Sequence, residues 1–181
     1  MRLLKIHRAL CALLLCAGLA GAGATQAAPA LWQLRNEFVD EFGTRAKLPH
    51  WAGPQTIVAM EYSACKFVCT INWRRLIDIQ DEADRRQLPL RFLIISLDPA
   101  NDSPSAWRDY RKLRGIQRSN WHFVTGNRLA TNHVARVLGV KWWYFNDAIV
   151  HDFRVLRVND RGDIQAVMER FDELASDFLA R

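Results

Sequence analysis

Cysteine is scarce in this chain: four occur among 181 residues, and two of them, Cys11 and Cys16, sit inside an apolar N-terminal stretch. Cys65 and Cys69 alone remain for the rest of the chain, too few for a disulfide scaffold and suggestive of a single functional pair. Long apolar runs are missing as well. The run from Ala9 to Ala20 is about a dozen residues, short of the roughly 20 that a membrane-spanning helix requires. No repeat or low-complexity tract follows the N-terminal segment, so neither a solenoid nor a linker-rich array is expected.

The basic excess is also smaller than it first looks. The formal charge of +6 falls to +3 once Arg2, Lys5 and Arg8 are set aside. A nucleic-acid-binding reading then loses its main support. The later basic residues Arg108, Arg111, Lys112, Arg114 and Arg118 are interleaved with or preceded by Asp109 and Asp102, as on a solvated helix face.

What is present at the N-terminus is a basic start, an apolar stretch and small residues through Ala28, the pattern of a secretory signal peptide. Residues 1–27 are expected to be removed, with cleavage after Ala24 or Ala27, leaving a single domain over 28–181. Neither Cys11 nor Cys16 follows the small residue expected before a lipidated cysteine. The expected location is the periplasm, and cleavage is favoured over anchoring in the inner membrane by an uncleaved N-terminus.

Thr56 to Tyr62 and Leu90 to Leu97 are nearly continuous apolar runs, as in strands buried on both faces. Between them Trp73, Leu76, Ile77, Gln80 and Ala83 recur at helical spacing, which predicts a strand, helix, strand unit with a parallel pair. Ser103 and Pro104 open a second helix that Gly115 closes, Trp121 to Thr125 is a short strand, and Asn127 caps a helix to about Leu138. Ile149 to Val158 and Ile164 to Met168 predict an antiparallel hairpin about the turn Asn159 to Gly162, and a last helix is expected over Glu169 to Leu179. The order is that of an α/β, thioredoxin-like fold, a central mixed sheet flanked by helices. Phe38 to Leu48, turning near Glu41, Phe42 and Gly43, supplies an extra N-terminal hairpin.

Cys65 follows the first buried strand by three residues, so both sulfurs are expected near a helix N-terminus, where the helix dipole favours thiolate. With Trp73 they are spaced by four and share one helix face, close enough to chelate an ion or close a disulfide. Two thiolates suit Cu(I), and added imidazole suits Cu(II). Zinc falls short for want of a second cysteine pair. Among the remaining histidines, His133 reads as a helix-surface residue, His122 as a structural residue in a strand, and His50 as an unpositioned loop residue. His151 precedes the C-terminal hairpin, and topology alone leaves it open as a third ligand.

The chain resembles the Sco/SenC family of copper-binding, thioredoxin-like proteins that help assemble the dinuclear copper centre of cytochrome c oxidase. The resemblance rests on Tyr62 to Cys69, on Ser96, Leu97, Asp98 and Pro99 with Asp102, Ser103 and Pro104, on Trp121, Phe123, Thr125 and Gly126, and on His151 ahead of Arg161 and Gly162. It implies Cys65 and Cys69 as thiolate ligands and His151 as the imidazole ligand of copper, Cu(I) or Cu(II). Asp98 either buttresses that site or serves as a turn residue before Pro99. Two departures stand out. Thr70 replaces the proline usual after the second cysteine, and the short segment from Gly139 to His151 carries Lys141, Trp142, Trp143, Tyr144 and Phe145, either a docking rim or packed aromatics.

The favoured function is a copper chaperone acting on a copper-accepting subunit of cytochrome c oxidase or another periplasmic copper protein, monomeric, near a membrane and without a nucleic-acid partner. A thiol-disulfide oxidoreductase using Cys65 and Cys69 as its redox pair is the alternative. A peroxiredoxin-like peroxidase, suggested by Ser63 two residues before Cys65, lacks the expected proline and arginine context. An inert structural disulfide is the remaining alternative.

Overall fold

A computed structural model describes residues 30–64, 69–146 and 148–181, with the backbone alone described for Cys69 and Thr70. The signal segment therefore lies outside the described residues. The elements are β1 (Glu37–Asp40), β2 (Arg45–Lys47), β3 (Gln55–Glu61), α1 (Cys69–Arg85), β4 (Leu90–Ser96), α2 (Pro104–Leu113), β5 (Trp121–Thr125), α3 (Arg128–Leu138), β6 (Trp142–Phe145), β7 (Ala148–His151), β8 (Val155–Asn159), β9 (Ile164–Met168) and α4 (Ala175–Ala180). Seven strands form one sheet in the order β2-β1-β5-β4-β3-β8-β9, and β6 and β7 form a separate two-stranded sheet.

The centre of the large sheet is parallel, with β4 between β3 and β5. Parallel neighbours need a long crossover, and α1 and α2 provide them. With helices on the faces, the central strands are apolar throughout: Ile57, Val58, Ala59 and Met60 of β3, and Phe92, Leu93, Ile94 and Ile95 of β4, are all buried. Alternation divides them between two cores. Ile57, Ala59, Phe92 and Ile94 pack with α1, α2 and α4, whereas Val58, Met60, Leu93 and Ile95 pack with α3 and the N-terminal segment.

The boundaries of β3, β4, β5 and β9, the parallel pair and the N-terminal hairpin follow the sequence closely. Ser103 Oγ accepts from Ala106 N–H at 3.2 Å, and Asn127 Oδ1 from Ala130 N–H at 2.9 Å, capping α2 and α3 as expected. Gly162, at φ +88°, closes the β8–β9 turn, and a side chain there would meet the backbone nitrogen of Trp32 at 2.7 Å. This close approach docks the N-terminal segment on the hairpin, through Leu31 N–H to Gly162 O at 3.0 Å and Trp32 Nε1–H to Asn159 O at 2.7 Å.

Three expectations need correction. The stretch from Ile149 to Val158 is two strands, because Asp152 breaks it: its N–H donates to Lys141 O at 3.0 Å and closes the base of the β6–β7 hairpin. The last helix is confined to Ala175–Ala180, since Arg170 to Leu174 are turn and coil with Phe171 and Leu174 largely exposed. The basic face of α2 is not simply solvated. Arg111 pairs with the fully buried Glu41 at 2.6 Å and also donates to Trp121 O at 2.7 Å, while Arg108 donates to Glu41 O at 2.7 Å. These arginines fasten the N-terminal hairpin to the sheet.

Candidate functional site

The site lies where β3 ends and α1 begins. Cys65 falls in residues 65–68, outside the described residues, and Cys69 is the first residue of α1, where the unpaired N–H groups of the helix stabilise negative charge. The segment joining Ala64 to Cys69 is bracketed by well-held residues on either side. Upstream, Ser63 N–H donates to Asp102 Oδ1 at 2.9 Å, and Asp102 Oδ2 accepts from Ser96 Oγ at 2.6 Å. Downstream, Asn72, one turn into α1, donates through Nδ2 to Glu61 Oε1.

Asp102, not Asp98, is the buried carboxylate in this support. Asp102 is 1% exposed, and burial pushes its pKa up against the bonds from Ser63 and Ser96, which pull it down. The Asp98 carboxylate instead accepts from Asn101 Nδ2 at 2.8 Å in an exposed contact, and its carbonyl accepts from Asp102 N–H at 2.9 Å. That is the geometry of a turn residue.

His151 ends β7 and is 5% exposed. Its Nδ1 lies 2.9 Å from Asp152 O. A carbonyl only accepts, so Nδ1 carries the proton and Nε2 presents its lone pair. Burial pulls the His151 pKa down, which favours the neutral ring, and Nε2 has no hydrogen-bond partner among the described residues. A buried, neutral imidazole with one nitrogen fixed by a carbonyl and the other free is the form in which histidine binds metal. The ring stands edge-on to Tyr62, centroids 6.3 Å apart, and Tyr62 OH donates to Ile149 O at 2.9 Å. Tyr62 thereby ties the residue before the cysteine turn to the strand that carries His151.

Two residues that sequence reasoning missed complete the neighbourhood. Glu61 is 2% exposed, its Oε2 lies 3.9 Å from His151 Nε2, and burial pushes its pKa up to about 8. Asn72 is equally enclosed, at 1% exposed. The signal for Glu61 was its position, an acid directly after the apolar run Ile57 to Met60 at the end of a buried strand.

The other histidines stand apart from this cluster. His133 Nδ1 lies 3.2 Å from Asn36 Oδ1, His50 packs edge-on against Trp51, and His122 is half-buried in β5. Within β6, Trp142 packs on the core, while Trp143, Tyr144 and Phe145 are about half exposed or more, with Arg128 over the Tyr144 ring at 5.5 Å. The aromatic segment is thus the outer strand of the hairpin that ends in His151.

Comparison with known proteins identifies the family and the fold. A family model described as SCO1/SenC matches residues 24–175. The SCO1 protein homolog of Bacillus subtilis (strain 168) is 22% identical over 89 residues, 49% of this chain, and the chain spans 46% of that relative's length. Among solved structures, Arabidopsis thaliana ScoI with copper bound superposes with a TM-score of 0.69 at 16% identity, covering 80% of this chain and 91% of that one. BsSco, a member of the Sco family of cytochrome c oxidase assembly proteins in which a disulfide switch was identified, gives 0.71 at 15% identity, covering 85% and 91%. At these identities the likeness carries the fold, and that fold is thioredoxin-like.

Proposed function

Because the chain belongs to the SCO1/SenC family, we propose that it is an exported copper chaperone that binds copper through Cys65, Cys69 and His151 and passes it to a copper-accepting subunit of cytochrome c oxidase or another periplasmic copper protein. The observation that carries this reading is the setting of His151: buried, with Nδ1–H given to Asp152 O and Nε2 without a hydrogen-bond partner among the described residues. The donor set suits the cargo. Two thiolates hold the cuprous ion, and the imidazole extends the set toward the cupric one.

The chain's own residues do the positioning. Asp102 holds the turn before Cys65, the N-terminus of α1 favours thiolate at Cys69, and Tyr62 holds β7 against the end of β3. Transfer then proceeds by exchange of ligands with the acceptor, with the exposed Trp143, Tyr144 and Phe145 as the rim that meets it. Residues 1–27 act as the export signal and 28–181 as the single functional domain, placed in the periplasm.

Thiol-disulfide exchange by Cys65 and Cys69 is a second reading, favoured by the position of Cys69 at a helix N-terminus. One experiment separates the two. The reduced protein is titrated with Cu(I) and Cu(II) against a competing chelator, alongside His151→Ala, Cys65→Ser and Cys69→Ser. Stoichiometric binding that each substitution weakens supports the chaperone. Copper binding unchanged by all three, together with ready reduction of a disulfide substrate, supports the oxidoreductase and overturns the chaperone.

A further inference from the structure

Alternation along β3 points Ile57, Ala59 and Glu61 to the same face of the sheet, beneath α1. The surroundings of Glu61 on that face are Trp73, Leu76, Ile94, Tyr110 and Phe123, packed too closely to admit a water molecule. An apolar side chain would suit such a place, and an acid buried there is costly unless something balances it. Asn72 satisfies one oxygen. Arg114, just past the end of α2, offsets part of that cost through its charge, yet it forms no ion pair with Glu61 among the described residues, and its guanidinium lies over Tyr110 at 5.2 Å. The second oxygen, Oε2, has no hydrogen-bond partner among the described residues and faces His151 Nε2, itself without one, across 3.9 Å.

That separation is too wide for a hydrogen bond. It is close to what two ligands of one ion span: donors about 2.0 Å from a metal lie about 3.3 Å apart at a tetrahedral angle and about 4 Å apart when opposed. An oxygen donor and a nitrogen donor, both buried and neither hydrogen-bonded among the described residues, therefore stand at ligand spacing. We propose that Glu61 supplies a fourth, oxygen ligand to the copper held by Cys65, Cys69 and His151, and so biases the site toward the cupric ion. The proposal rests on the copper-binding reading above. Its chemistry is that of donor hardness: two thiolates alone favour Cu(I), whereas carboxylate and imidazole stabilise Cu(II) and draw the geometry toward a tetragonal one.

The test compares the wild-type protein with Glu61→Gln, which keeps an acceptor for Asn72 and removes the carboxyl oxygen that would bind the ion. Cu(II) and Cu(I) affinities are measured separately by competition, with the electron paramagnetic resonance spectrum of the Cu(II) form. The expected result is a loss of Cu(II) affinity on the order of tenfold or more, a changed copper hyperfine splitting, and Cu(I) affinity within about twofold of wild type. Equal losses for both ions, or no change in either, overturn the proposal. An infrared difference spectrum of wild-type protein labelled with 13C-glutamate gives the same answer if Glu61→Gln fails to fold: a glutamate carboxyl band is expected to shift on adding Cu(II), and an unshifted spectrum overturns the proposal. Its failure is distinct from failure of the copper-binding reading, which is decided by whether Cys65→Ser, Cys69→Ser and His151→Ala weaken binding.

Discussion

Replacing Asp102 by alanine tests whether this carboxylate, and not Asp98, holds the cysteine turn in place. The side chain accepts from Ser63 N–H at 2.9 Å and from Ser96 Oγ at 2.6 Å, and both Asp102 and Ser96 are buried. Hydrogen bonds to a charged group contribute about 1.5–3 kcal/mol each, so the gross loss is about 3–6 kcal/mol. Part is recovered because the variant no longer buries a carboxylate, the cost that already pushes the Asp102 pKa up. A net loss of about 3 kcal/mol follows, equivalent to a fall in Tm of about 6–12 °C for a domain of this size. Asp98→Ala removes one exposed bond to Asn101 and is expected to cost about 0.5 kcal/mol or less. Urea and thermal unfolding of the metal-free protein, followed by circular dichroism, give both numbers, and Asp102→Ala is also expected to weaken copper binding because Ser63 stands two residues before Cys65. An Asp98→Ala variant that is the less stable of the two would refute the reasoning.

Gly162→Ala should cost about 2 kcal/mol, since φ is +88° and the new methyl would meet Trp32 N at 2.7 Å; a urea midpoint equal to wild type would show that the N-terminal segment is not docked there. Tyr62→Phe removes the bond to Ile149 O and is expected to lower stability by about 1 kcal/mol while weakening copper binding, because His151 lies at the end of the same strand; chelator competition reads the second effect. His122 carries a pKa pulled down by burial, then by Arg91, so its stabilising contribution is fully present above the unfolded value near 6.5 and is lost as pH falls through the folded one. Accordingly, the stability of His122→Asn relative to wild type should rise between pH 8 and pH 5, and a difference that stays flat across that range contradicts the assignment.

The buried strands and capped helices were legible because each has a local cause. Apolar runs of four residues at the centres of β3 and β4, Ile57 to Met60 and Phe92 to Ile95, bury on both faces, and Ser103 and Asn127 announce helices through their own side chains. The β6–β7 hairpin was not legible, because what separates β7 from β8 is a long-range pairing of Asp152 with Lys141 that no alternation pattern encodes. Of the site, His151 was visible as a candidate from topology and from resemblance. Its ligand-ready state depends on burial and on the Asp152 carbonyl, which only the folded chain provides. Asp98 and Asp102 look alike as acids flanking Pro99, and it is the depth of each that assigns the buttress to Asp102. Glu61 carries no sequence pattern that marks it beyond a carboxyl group at the end of an apolar strand, and only its burial sets it apart.

The central claim is that His151 completes a copper site begun by Cys65 and Cys69, and X-ray absorption spectroscopy at the copper edge tests it most directly. Wild-type protein loaded with one equivalent of copper is predicted to show sulfur scatterers together with the multiple-scattering pattern of an imidazole, and His151→Ala to keep the sulfur and lose the imidazole. An imidazole pattern that survives in His151→Ala, or wild-type copper with no sulfur neighbour, would contradict the account.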